Sequence, residues 1–145
     1  MREVLIVANR TLGGAKLLEA ARARAADGDV RFRLIVPQSK PSAGLVIYDE
    51  AVRESAQVRV DLATSVMEAE GIEISGEVGD GDPFLATMDA VAQRRPDEVI
   101  VSTLPTDESR WMELELPDRI AKLTGAPVIH IVSTEVAPFA PAPTG

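Results

Sequence analysis

A chain of 145 residues and 15.5 kDa, 46% apolar and 26% charged, has the size and composition of one globular domain around one core. Its net charge of -8 (15 basic against 23 acidic groups) lacks the basic footprint that nucleic acid or an anionic membrane surface requires. The absence of cysteine excludes disulfides, thiolate chemistry and cysteine-bound metal, and a single histidine, His130, excludes a histidine-rich metal site.

Met1-Arg2-Glu3 leads straight into Val4-Leu5-Ile6-Val7-Ala8, a continuous apolar run that predicts a strand covered on both faces. The run is too short for a secretory signal, and no stretch reaches the roughly 18 apolar residues of a membrane span, so a cytoplasmic location is expected. Thr11-Leu12-Gly13-Gly14 reads as a loop, followed by a helix over Ala15–Ala26. Leu17, Leu18 and Ala21 form its expected apolar stripe, with Glu19, Arg22 and Arg24 on the solvent side. Asp27-Gly28-Asp29 ends that helix, and a second strand over Arg31–Val36 closes at Pro37. Residues 38–48 are a loop whose apolar patch, Leu45–Tyr48, either tucks against the core or covers a ligand. A long helix is predicted over Asp49–Glu70, with Val52, Ala56, Ala63 and Met67 inward and Gly71 at its end. Ile72–Val78 alternates imperfectly, as expected for a strand near a sheet edge.

Gly79-Asp80-Gly81-Asp82-Pro83 then opens a helix, Asp82 suiting the N-cap and Pro83 the first turn. Phe84, Leu85, Met88, Val91 and Ala92 give its expected stripe. Val99-Ile100-Val101 predicts a fourth buried strand, residues 104–125 hold helical material interrupted at Pro117, and Val128–Val132 predicts a fifth strand. Strands alternating with helices imply βαβ units and a mainly parallel sheet with helices on both faces. The domain is expected over residues 1–132, with a flexible proline-rich tail over 133–145. Charge is uneven, with six basic and three acidic groups over residues 10–33 and nine acidic and two basic over 49–80, the pattern of two solvated helical faces.

Ligands of such sheets bind beyond the carboxyl ends of the strands. The segments there are Asn9-Arg10-Thr11, Pro37 with its loop, Gly79–Asp82 and Ser102-Thr103-Leu104-Pro105. None makes a dinucleotide fingerprint or a P-loop, since Gly13-Gly14 is not GxGxxG and Lys16 is followed by Leu17. Gly79–Asp82 lacks the 12-residue ligand set of a calcium loop and reads as a turn and cap. Ser102 and Thr103 either meet a polar ligand or cap the next segment. Trp111, between Arg110 and Met112 and upstream of Arg119, suits packing, while Arg110 and Arg119 have the bidentate chemistry of an anion site. No nucleophile, base and orienting group stand together, because His130 lies within a strand, so a non-enzymatic role is expected.

The element order, with Gly79-Asp80-Gly81-Asp82-Pro83, Asp97-Glu98-Val99-Ile100-Val101 and Ala126-Pro127-Val128-Ile129-His130-Ile131, resembles the universal stress protein superfamily over about residues 3–132. Val7–Gly14, Val101–Pro105, Ser109-Arg110-Trp111 and Leu116-Pro117 make it similar to a divergent branch found in high-GC Gram-positive bacteria. The resemblance implies a Rossmann-like α/β three-layer sandwich, a five-stranded parallel sheet of order 3-2-1-4-5, and a homodimer through the last strand. It also implies a cleft where Asn9, Arg10, Pro37, Ser102, Thr103 and Arg110 line any nucleotide or other small ligand. Members that bind ATP carry an acidic residue after the first strand and a G-x2-G-x9-G-[ST] run after the fourth. Here Asn9 replaces the acid, no glycine follows Thr103 before Gly125, and Leu114-Glu115 stands near the final Gly-Ser/Thr. A degenerate ATP motif and no resident cofactor are therefore expected. The reading is a non-enzymatic, dimeric regulatory or interaction domain of the stress-protein kind. The alternative is a nucleotide-binding stress protein with a rewritten phosphate loop.

Overall fold

The computed structural model describes residues 2–8, 15–37, 49–79, 82–103 and 115–132. Four described helices alternate with five strands: β1 (Arg2–Ala8), α1 (Ala15–Ala26), β2 (Val30–Pro37), α2 (Asp49–Ala69), β3 (Glu73–Gly79), α3 (Pro83–Gln93), β4 (Glu98–Thr103), α4 (Leu116–Thr124) and β5 (Val128–Val132). The strands form one all-parallel sheet in the order β3-β2-β1-β4-β5. This is the Rossmann-like α/β sandwich expected from the sequence. The Leu45–Tyr48 patch, the Gly13-Gly14 pair, Trp111 and the proline-rich tail lie outside the described residues.

β1 is central. Val4 and Ile6 stand beside Phe32 and Leu34 of β2, while Leu5 and Val7 stand beside Val99 and Val101 of β4. Strand side chains alternate between faces, and this divides the core in two. Val4, Ile6 and Ala8 pack with Phe32, Leu34 and Val36 beneath Leu17, Ala21, Ala56, Val60, Ala63 and Met67 of α1 and α2. Leu5, Val7, Val99 and Val101 pack beneath Ala86 and Ala90 of α3 and Leu116 and Ile120 of α4. The run Val4–Ala8 is 0–1% exposed, as a strand covered on both faces must be.

Two local readings are corrected. In α3, Leu85 and Met88 are 45% and 40% exposed, and Ala92 is exposed; Ala86, Thr87 and Ala90 are the buried positions. The reason is a close approach: a Cβ on Gly79 would stand 2.7 Å from Ala86 Cβ and 3.1 Å from Ile35 Cγ2. Only small residues fit where α3 crosses β3 and β2, so the larger ones turn outward. Arg24 is not on the solvent side of α1. Its guanidinium grips buried Glu98 of β4, with Nε donating at 2.6 Å and Nη2 at 2.9 Å, leaving the Arg24 side chain 17% exposed. Pro117 lies in the first turn of α4, where the missing N–H has no intrahelical acceptor to lose, and the helical material read ahead of it falls on residues 104–114, outside the described residues. In α2 the fully buried Val60 joins Ala56, Ala63 and Met67 in the inward stripe.

Among the described residues no helix is long and apolar enough to cross a membrane.

Leu5→Ala removes fully buried atoms between two packed layers and lowers unfolding free energy by roughly 2–5 kcal/mol in equilibrium denaturation. Leu85→Ala, on the exposed side of α3, costs below about 1 kcal/mol in the same measurement.

Candidate functional site

In a sheet of this order β1 leads to β2 on one side and lies against β4 on the other, so the direction in which successive strands are added reverses between β1 and β4. Ala8 and Ser102 are neighbours at that switch point, Thr103 pairs in register with Val132, and Pro37 pairs with Gly79. Of the residues expected to line a ligand cleft, Pro37 therefore stands at the carboxyl end of β2 and Ser102 and Thr103 at that of β4, the two strands that flank β1. Asn9, Arg10 and Arg110 lie outside the described residues.

The polar groups at this end are engaged by the protein itself. Ser102 and Thr103 are 1% and 2% exposed. The Thr103 hydroxyl lies 2.8 Å from His130 Nε2. That contact satisfies both groups within the layer between β4 and β5, as expected of a strand histidine. Across the sheet, Lys16 in the first turn of α1 donates through Nζ to the Val132 carbonyl at 3.0 Å. Sequence reading treated Lys16 only as a failed P-loop residue; its place just after Gly13-Gly14, at a helix start beside the cleft, is the signal that marks it.

The start of α3 is closed in the same manner. Asp82 caps the helix, its carboxylate accepting from the Phe84 amide at 2.8 Å and the Leu85 amide at 3.3 Å. Free amides at a helix N-terminus attract anions, but here a carboxylate of the chain holds them and neutralises the helix dipole. Pro83 follows with no N–H to offer. Gly79 serves the close packing of α3, and Asp80 and Gly81 lie outside the described residues.

Glu115 precedes α4 with φ 52° and ψ 35°, the left-handed region, and its side chain makes no capping hydrogen bond. A side chain there crowds the following carbonyl, so the backbone keeps a conformation suited to glycine while carrying a carboxylate. The spacing near the final Gly-Ser/Thr of the ATP-binding run points to the position; the strain itself could not be read from sequence.

The chemistry available is limited accordingly. Among the described residues no carboxylate bonds His130 to make a general base, and no group of three histidine, aspartate or glutamate side chains could hold a metal ion. At the opposite pole, Glu3, Arg31, Arg33, Glu73, Ser75 and Arg94 line a groove of about 480 Å³. Its two carboxylates pair with Arg31 and Arg94, while the Arg33 guanidinium bonds backbone carbonyls and its buried Nε has no hydrogen-bond partner. Glu3 accepts from Arg94 at 2.8 Å and lies 3.5 Å from Arg31, which lies 3.6 Å from Glu73. Arg33 clamps the end of α3, Nη2 donating to the Ala90 and Arg94 carbonyls at 2.6 and 2.8 Å. Burial lowers the Arg33 guanidinium below its ordinary value, while Glu3 and Glu77 pull it back up.

No family profile matches the chain, and no curated protein matches it. Solved structures do. A protein of the universal stress protein family from Burkholderia pseudomallei superposes with a TM-score of 0.61 at 18% identity, over 89% of this chain and 94% of that one. A universal stress protein family protein from Arabidopsis thaliana with AMP bound superposes with a TM-score of 0.57 at 16% identity, over 91% and 92% of the two chains. The likeness is one of fold, shared along nearly the whole of both chains.

Replacing Glu115 by glycine relieves the left-handed strain and raises unfolding free energy by about 1 kcal/mol. Urea denaturation reads the gain as a higher midpoint with unchanged slope.

Proposed function

We propose that the protein is a non-enzymatic regulatory or interaction domain of the universal stress protein kind, cytoplasmic and homodimeric through β5, with a degenerate ATP site. The observation that carries this reading is the cleft. Its fold is that of the stress-protein structures, yet the α3 N-terminus is held by Asp82 and Thr103 is engaged by His130. Glu115, near the expected glycine, adds negative charge and a side chain where a phosphate-binding loop calls for a small, permissive residue. Membership of the branch found in high-GC Gram-positive bacteria rests on the sequence motifs alone.

The two edges of the sheet differ in a way that favours the dimer. β3 carries Glu73 and Glu77, charges that discourage pairing with another strand. β5 reads Val128-Ile129-His130-Ile131-Val132 with no acidic or basic gatekeeper, and Ile129 is 37% exposed. An edge of this composition is an aggregation hazard unless a second strand covers it.

The alternative, a nucleotide-binding protein with a rewritten phosphate loop, draws on the AMP held by the Arabidopsis thaliana neighbour. In that reading Lys16 and Arg110 supply the positive charge, with Asn9, Arg10, Pro37 and Ser102 around the ligand.

Calorimetry with ATP and magnesium is expected to give no binding tighter than about 100 μM, on the order of -5.5 kcal/mol. Saturable micromolar binding reverses the order of the two readings. Sedimentation equilibrium is expected to give a species of twice the 15.5 kDa chain mass, and a single 15.5 kDa species at high micromolar concentration rejects the dimer.

A further inference from the structure

The sheet is covered unevenly on its α3 side. Leu5, Val7, Ile35, Val99 and Val101 lie beneath α3 and α4, and α3 ends at Gln93. Past that end the amino halves of β2 and β3 present charge in place of apolar side chains. Register sorts them into rows. Glu3, Arg31 and Glu73 stand abreast on β1, β2 and β3, and Leu5, Arg33 and Ser75 stand abreast in the next row. Alternation puts both rows on the face of Leu5 and Ile35. Gln93 and Arg94, at the helix end, wall the groove of about 480 Å³ that lies over these rows. That volume is within the span of small-molecule sites, roughly 300–1,000 Å³.

The two rows differ in charge balance. In the first, Arg31 lies between two carboxylates, 3.5 Å from Glu3 and 3.6 Å from Glu73, and Arg94 meets Glu3 at 2.8 Å. Two cations there answer two anions. In the second row Arg33 has only Leu5 and Ser75 beside it, and no ion pair joins it to a carboxylate among the described residues. Glu3 and Glu77 act on it through space alone, and Glu77 stands a row further on, beside Ile35. The residues lining the groove thus carry three guanidinium groups against two carboxylates, one positive charge in excess.

Hydrogen bonding leaves the same spot incomplete. Nη2 of Arg33 is taken up by the Ala90 and Arg94 carbonyls, which suffices to hold the end of α3. Nε is buried without an acceptor, an expensive state for a charged donor. No other described residue bonds Nη1, the Ser75 hydroxyl or the Gln93 amide. The clamp on α3 therefore accounts for only part of this guanidinium.

We propose that the groove binds a small anionic metabolite by a compact oxyanion, a carboxylate or a phosphate, held between Arg33 and Arg94, with Ser75 and Gln93 meeting its neutral polar part. Guanidinium groups match the planar and tetrahedral oxygens of such groups. One negative charge from the ligand completes the balance that the protein leaves open. The site lies at the amino ends of the strands, away from Ser102 and Thr103, so it depends neither on the dimer nor on the state of the cleft.

Nitrogen-15 correlation spectra of the full chain, titrated at low ionic strength with lactate and separately with inorganic phosphate, test this. At least one probe is expected to give saturable shifts in the arginine Nε–H signals of Arg33 and Arg94, the Gln93 side-chain amide and the Ser75 backbone amide. The tighter probe identifies the oxyanion. Raising the salt to about 0.15 M should weaken binding severalfold, since the groove is open to solvent. Arg33 itself is left unaltered, because its loss would free α3. Arg94→Gln keeps the backbone carbonyl that Arg33 holds and is expected to weaken binding about fivefold, for one charge-assisted bond in partial contact with water. Glu73→Gln removes a charge of the ligand's own sign and should tighten binding about threefold. Absence of saturable shifts in the groove with both probes overturns the site. Shifts confined to Lys16, Ser102 and Thr103 place the anion in the cleft and overturn it equally. Saturable shifts whose affinity is the same in Arg94→Gln and Glu73→Gln as in the native chain overturn the assignment of the oxyanion to these residues.

Discussion

The fold depends on β1 being enclosed on four sides: by β2 and β4 along its edges and by helices above and below. A strand in that position has no access to water, so its backbone groups must be matched by ladders and its side chains must be apolar whichever face they take. Val4–Ala8 meets both demands, and parallel pairing then requires each return of the chain to cross over as a helix. Because the interior admits so little polarity, the chemistry of the molecule is displaced to the ends of the strands. The two ends are used differently: charged side chains clamp elements together at the amino ends, and hydroxyls and helix starts gather at the carboxyl ends.

The carboxyl ends have the layout of a ligand cleft and the bonding of a closed structure. A cleft ready for phosphate keeps amides unmatched until the anion arrives. Here Asp82 already bonds two amides of α3, Thr103 is matched by His130, and Lys16 is directed to a strand carbonyl. Any anion entering at α3 must displace a carboxylate that competes for the same amides. Shared architecture with an AMP-bearing structure is therefore compatible with a different use of the same place, since folds of this class carry many activities.

Much of this was legible in the residues. The unbroken run Val4–Ala8, the alternation of strands with helical segments, Asp82-Pro83 as a helix start and the imperfect alternation of an edge strand all rest on local rules, and the structure follows them. The failures come where a distant neighbour overrides the local pattern. Leu85 and Met88 have helix-stripe spacing, but Gly79, on the preceding strand, decides which side of α3 comes close. Arg24 has solvent-side spacing, but Glu98 across the fold draws it inward. Site residues were legible by position only. Placing Pro37, Ser102 and Thr103 at strand ends followed from order, whereas the pairing of Thr103 with His130 depends on the β4–β5 register, which no local motif encodes. Asn9, Arg10 and Arg110 lie outside the described residues.

The grip of Arg24 on Glu98 spans 74 positions of sequence and joins α1, early in the chain, to β4, late in it. Glu98 is only 7% exposed, so a carboxylate deprived of its guanidinium is left charged in a nearly dry place. Opening the early βαβ unit alone would strand that carboxylate, and so would peeling the late strands from the rest. Each half thus holds the other shut at the moment when partial opening would otherwise begin. Amide exchange should consequently find β1, β2 and β4 opening together as one cooperative unit, without an intermediate in which half of the sheet survives.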